Sequence, residues 1–391
     1  MNTLKIHDTE HQKRLYYLDN LKVMLTCLVI AHHASQAYGP TGGEWAYHNS
    51  NGIIGWLGNF MAVNAAYFMG LFFMISGYFV PDSYQSQKVG AFVRKKLKRL
   101  MLPVVILLVA IVPIYFYFAS MLHAPSRIGF FDYYINTYWK GDLISYEHGW
   151  YLINLCFYCL IYSLVMKFIK GSKIKTLQRF KIYYLLILAV LIGVVSYFVR
   201  LASPIDRWID LFGFIGMEPA HVPQYVLFFL FGILAGKYGY LEAIPKKTGY
   251  IMAALGAVMA LMVYLSGLRF ISPFMGIVWR GWAFYESFMA VFLSIGLIVV
   301  FRDFFNWTNA FQRILARSAF GAYIIHNSFV VPLQVYFDGV LVSPWVKFLC
   351  VSVLSILLSF LGAYLFLRAK SIAKRIVKQP NTLSRGKKET V

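Results

Sequence analysis

Ten stretches of mostly apolar residues recur along the chain, separated by shorter polar and charged segments. They cover residues 18–38, 57–80, 101–122, 150–168, 182–199, 222–240, 249–267, 281–301, 318–337 and 345–367. Wound as α-helices, runs of about 20 residues match the thickness of a bilayer's hydrocarbon layer. None shows the period-two alternation that a membrane barrel strand requires. The pattern predicts an all-α fold, a polytopic membrane helical bundle of about ten transmembrane helices over 18–367 with no soluble domain. A polar N-tail, residues 1–17, precedes it. A basic tail, 368–391, follows; it has little apolar surface to bury and is expected to be disordered.

Composition agrees. The chain has 391 residues, of which 59% are hydrophobic and 14% charged, and its mean hydropathy is +0.61. Soluble domains carry about 25% charged residues. The net charge of +21 raises the question of nucleic acid, but its distribution answers otherwise. With ten spans, the tails and loops on one face hold 30 of the 37 Lys and Arg. That bias predicts both termini in the cytoplasm and basic loops against the lipid bilayer, with no nucleic-acid partner. The first twenty residues are too polar for a secretory signal. Cys156 and Cys159 form a CxxC inside an apolar run, without a second pair, and read as small buried residues; no metal site is expected.

Candidate chemistry starts in the first stretch. His33 lies eleven residues after Lys22, which puts the two about 16 Å apart on one helix face. Asp19 falls one turn before Lys22 on nearly the same stripe, and His32 points about 100° away. Ionisable side chains inside a span are costly and mark functional sites. Histidine, with an ordinary pKa of about 6.5, can take a proton from a hydroxyl and return it near neutral pH. A second group is the cation cluster Arg94, Lys95, Lys96, Lys98 and Arg99 at the mouth of the third span, which reads as plain positive-inside topology against lipid headgroups or as a site for a phosphate-rich ligand. Glu286 and His326 are polar residues inside later spans, and Glu286 beside His33 or His326 would make a carboxylate–imidazole pair. His148 and Trp150 open the fourth span at its outer face. The outer segments 123–149 and 200–221 combine aromatic rings with carboxylates, which reads as an ordinary interfacial aromatic belt or as a sugar-binding surface.

These residues together resemble the acyltransferase 3 family of bacterial membrane enzymes. The resemblance is carried by Leu18-Asp19-Asn20-Leu21-Lys22 with His33 after ten intervening residues, and by Phe72-Phe73-Met74-Ile75-Ser76-Gly77-Tyr78. The basic run before Pro103, His148-Gly149-Trp150-Tyr151-Leu152, and Ser318 to His326 complete it. The His148 segment looks most like the glucan succinyltransferase branch. The resemblance implies an acyl-CoA-dependent O-acyltransferase of the bacterial inner (cytoplasmic) membrane. It would move an acyl group, acetyl or succinyl, from cytoplasmic acyl-CoA to a hydroxyl of an extracytoplasmic carbohydrate or other envelope acceptor. His33 maps to the family's essential histidine and Lys22 to its basic partner, where the family often has Arg. Acyl-CoA is then a donor substrate, with no permanently bound cofactor, and Asn327, Ser328 and Ser76 are candidates for oxyanion stabilisation. The oligomeric state stays open, a homodimer included. Two other classes remain: a proton-coupled transporter using His33, Glu286 and His326 as a relay, and an idle scaffold. The absence of a visible internal repeat speaks against the transporter.

Overall fold

A computed structural model of the chain describes residues 14–43, 45–123, 128–141, 143–169, 180–267 and 278–378. Most of the predicted tails, much of the basic stretch 167–181, and Arg127 and Arg269 lie outside these residues. Among the described residues the elements are helices and one small hairpin. They run α1 (Tyr16–Gln36), α2 (Trp56–Tyr78), α3 (Val89–Leu122), α4 (Trp150–Phe168) and α5 (Tyr183–Ala202). Strands β1 (Ile209–Leu211) and β2 (Ile215–Met217) pair antiparallel, Asp210 opposite Gly216. Then come α6 (Val222–Tyr238), α7 (Lys246–Ser266), α8 (Val278–Phe304), α9 (Ala310–Ile325), α10 (Asn327–Asp338) and α11 (Pro344–Lys378).

Every predicted apolar stretch contains a helix, but length and apolarity alone do not confirm ten crossings. Among the described residues seven helices are long and apolar enough to span a membrane, eight if the bent pair α9–α10 is one span. The two remaining predicted spans fall short for physical reasons. Helix α6 has only 17 residues, and α1 carries Asp19, Lys22, His32 and His33 within 21. Helix α11 also continues to Lys378, so the first part of the basic tail is helical.

The polar α1 survives because it is wrapped by protein. It packs against α2, α8, α9, α10 and α11, and Leu18, Leu21, Leu25 and Ile30 are fully buried. Its N-terminal end is pinned by Asn20, whose amide donates to the carbonyls of Phe305 (2.7 Å) and Trp307 (3.0 Å). Tyr17 and Tyr78 both donate to Glu242 Oε1. At the C-terminal end, Gln334 of α10 donates to the Ala34 carbonyl at 3.2 Å. The segment after α1 folds over that end and is clasped by Lys347, fully buried, which donates to Asn49 Oδ1 and the Asp338 carbonyl, both at 3.0 Å.

Helices α2 and α6 cross at contact distance of their backbones. In lipid, where apolar burial gives helices no reason to associate, small residues permit this approach. A Cβ on Gly232 would collide with the Met74 carbonyl oxygen, and one on Gly236 with that of Tyr78. Gly232→Val is expected to destabilise the fold by about 3 kcal/mol, the upper end of overpacking costs, because backbone cannot step aside. Denaturation in detergent followed by tryptophan fluorescence measures it, with Gly90→Ala, which meets nothing within 4 Å, as the control expected to be near neutral.

Candidate active site

The break between α9 and α10 organises the site. The two helices meet at 62° around His326. In a continuous helix the carbonyls of Tyr323 and Ile324 would accept from the amides of residues 327 and 328. Here they accept from imidazoles: His326 Nδ1–H donates to Tyr323 O at 2.6 Å, and His148 Nε2–H donates to Ile324 O at 3.0 Å. A carbonyl can only accept, so both tautomers follow. His148 Nδ1 then accepts from the Asn327 amide at 3.3 Å, and both its nitrogens are engaged. Tyr323 donates its hydroxyl to the His148 carbonyl and closes the arrangement.

His33 completes a group of three rings. Its centroid lies 5.0 Å from that of His326 and 6.4 Å from that of His148, and His148 and His326 are 4.6 Å apart. His33 Nδ1–H donates to Gln36 Oε1 at 3.0 Å, one turn further along α1, which leaves Nε2 with its lone pair. His148 and His326 are buried, whereas His33 is half-buried. His32 faces α2 as expected, with its ring 5.1 Å from that of Phe68. Among the described residues, no group of three or more His, Cys, Asp or Glu could hold a metal ion.

Toward the N-terminal end of α1 from the histidines lies a cavity of about 890 Å³. Its mouth carries Lys22, Lys95, Lys96 and Arg99, joined by Arg317 from α9. Lys22 is paired with Asp19 at 2.8 Å, and Asp19 also receives Arg14 at 2.6 Å. Arg94 and Lys98 are exposed and do not line it, because on α3 they sit about 100° from Lys95 and Arg99. Deep in the cavity are Ser76, Tyr151 and Tyr323, and Ser76 and Tyr151 share a hydrogen bond of 2.9 Å. Tyr323 also borders His148 and His326, at 5.7 and 5.9 Å between ring centroids. The cavity thus ends one layer of side chains short of the histidines.

The chain matches the Acyltransferase domain family over residues 15–364. It belongs to the acyltransferase 3 family. Relatives include glucans biosynthesis protein C of Escherichia coli O6:K15:H31 (strain 536 / UPEC), 24% identical over 358 residues, covering 86% of this chain and 88% of that one. The proteins of the same name from E. coli K12 and Shigella dysenteriae serotype 1 (strain Sd197) are each 23% identical over 358 residues, with the same coverage. No solved structure matches.

Within this acyltransferase the structure moves two expected site residues. His148, expected at an open outer surface, is 1% exposed and belongs to the histidine group. Trp150 packs instead among aromatic rings, 5.5 Å from Tyr225 and 5.6 Å from Trp208 between ring centroids. Glu286 pairs with neither His33 nor His326. It receives Arg200 Nη2 at 2.5 Å and His221 Nε2 at 2.9 Å, and His221 Nδ1 donates to Glu218 at 2.6 Å. This buried chain of charges ties α5, α8 and the end of the β1–β2 hairpin together. Sequence reasoning missed His221, Gln36 and Arg317. Gln36, three residues after His33 on a helix, was the one readable from spacing.

Burial alone would discharge His221, but Glu218 and then Glu286 outweigh it and hold its pKa up at about 10. A folded-state pKa above the ordinary value near 6.5 means stability that is fully present below that value and lost as pH rises toward 10. The thermal midpoint of the purified protein is expected to fall between pH 7 and 10, with a shallower slope in His221→Gln. Glu286→Gln strands Arg200 and His221 in the interior and should cost about 3–5 kcal/mol by the same unfolding assay.

Proposed function

We propose that this acyltransferase carries an acyl group, acetyl or succinyl, from cytoplasmic acyl-CoA to a hydroxyl of an extracytoplasmic glycan. The observation that carries the reading is the cation-rimmed cavity leading from the inner mouth to the layer beneath His33. Coenzyme A is a phosphate-rich donor, and guanidinium and ammonium groups converging from α1, α3 and α9 suit its phosphates. From Lys22 to His33 the distance along α1 is about 16 Å, a length for an extended thioester arm. The relatives' name, glucans biosynthesis protein C, supports a glucan as acceptor. The aromatic and acidic outer segments, with Trp150 and Trp208 side by side, suit a sugar chain entering from the opposite face.

In this reading the enzyme sits in the bacterial cytoplasmic membrane with both termini in the cytoplasm. The bent pair makes one crossing, and α1 and α6 cross as well, shielded by their neighbours. His33 Nε2 takes the hydroxyl proton as the acceptor oxygen attacks the thioester carbonyl. The C–S bond breaks, and the proton passes to the departing sulfur. The broken helix α9–α10 would also suit a transporter, whose binding sites favour discontinuous helices.

Purified protein supplied with acyl-CoA and a glucan separates the two readings. The enzyme is expected to yield O-acylated glucan by mass spectrometry, and His33→Ala to lower the rate about 10³-fold, within the range of general-base contributions. Lys96→Ala and Arg99→Ala are expected to raise KM for acyl-CoA with kcat little changed. Proton-coupled glycan flux without an acylated product would replace this reading with transport.

A further inference from the structure

We propose that His326 acts with His33 as a proton-sharing pair: the proton drawn from the acceptor hydroxyl is held between His33 Nε2 and His326 Nε2. This rests on the acyl-transfer reading and adds a residue that acts through His33.

Three observations lead there. His326 is fully buried, its Nδ1–H is committed to the Tyr323 carbonyl, and its Nε2 has no partner among the described residues. A buried acceptor without a donor is costly, and here the helix break fixes its tautomer, so the lone pair is built in. The second observation is distance. Two imidazoles joined by an N–H···N hydrogen bond of about 2.9 Å have centroids about 5 Å apart. The His33 and His326 centroids are separated by 5.0 Å. At that separation, with the two ring planes 42° apart, a protonated His33 that turns its Nε2 toward His326 can donate to the second lone pair.

The third observation is what the site lacks. An imidazolium formed in a dry interior needs an acceptor or a counter-charge. Among the described residues no carboxylate is hydrogen-bonded to His33 or His326, since Glu286 is committed to Arg200 and His221. Glu147 bears on His33 only through space. His148 cannot accept either, because both its nitrogens are engaged; packed 4.6 Å from His326, it holds that ring in place.

The step balances. The hydroxyl O–H bond breaks, its oxygen bonds the thioester carbon, and the proton goes to His33 Nε2. The new N–H donates to His326 Nε2, so one positive charge is spread over two rings. When the C–S bond breaks, the thiolate takes the proton, and both imidazoles return to neutral.

The test uses full-length protein in nanodiscs, with acyl-CoA and a glucan. His326→Ala is expected to lower kcat about 10²-fold with KM for acyl-CoA unchanged, and added imidazole to restore at least a tenth of the lost rate. A kcat within threefold of wild type, or a loss that imidazole does not recover in folded protein, would overturn the proposal. The wild-type proton inventory in mixed H₂O and D₂O does not depend on the variant folding. A bowed, two-proton dependence of kcat supports the pair, and a straight line refutes it. If wild-type protein transfers no acyl group, the reading beneath has failed; if His33→Ala alone is dead and His326→Ala is active, only this inference has.

Discussion

Two backbone carbonyls set the geometry of this protein. By breaking at His326, the helix that began at Ala310 releases the oxygens of Tyr323 and Ile324 from their own ladder. Each then holds an imidazole in one tautomer. Backbone irregularity inside a membrane is tolerated only where protein re-satisfies it, and here side chains do so. The consequence reaches beyond the break. One of the two rings belongs to the segment that starts α4, so the same hydrogen bonds anchor α4 against α9. The other stands beside His33 on α1, the helix that touches five neighbours.

That arrangement explains why so polar a helix can occupy the centre. Asp19, Lys22, His32 and His33 could not face lipid at acceptable cost. In the structure Asp19 and Lys22 line a cavity, His33 bonds Gln36, and the apolar positions of α1 are buried in protein. A second store of charge, Glu218–His221–Glu286–Arg200, is buried apart from it and joins α5, α8 and the segment before α6. The two polar systems are separate. The first is open to a cavity, as a site requires, and the second is a clasp.

Much of this was legible in the chain. Each apolar run contains a helix, though the break that divides the ninth run into α9 and α10 was not visible, and the spacing alone puts Lys22 and His33 on one face of α1. The cation run on α3 was visible, though only the helical phase decided that Lys95, Lys96 and Arg99 turn inward while Arg94 and Lys98 do not. What was not legible depended on contacts between distant segments. Nothing in the string brings His148 and His326 to His33 across more than a hundred residues, or assigns Glu286 to Arg200. By length and apolarity alone the helices do not confirm ten crossings, for a related reason. Length and hydropathy speak for a lone helix in lipid, whereas α1 and α6 are sheltered by neighbours that the sequence does not identify.

The account depends on a donor reaching the histidines from the basic face and an acceptor from the other. Proteoliposomes with one orientation of the enzyme test this directly, with labelled acyl-CoA confined to the side of Lys95, Lys96 and Arg99 and glucan to the opposite side. The account predicts label on the glucan across the membrane, and none when the two compartments are exchanged. Acylation only when donor and glucan share one compartment would contradict it.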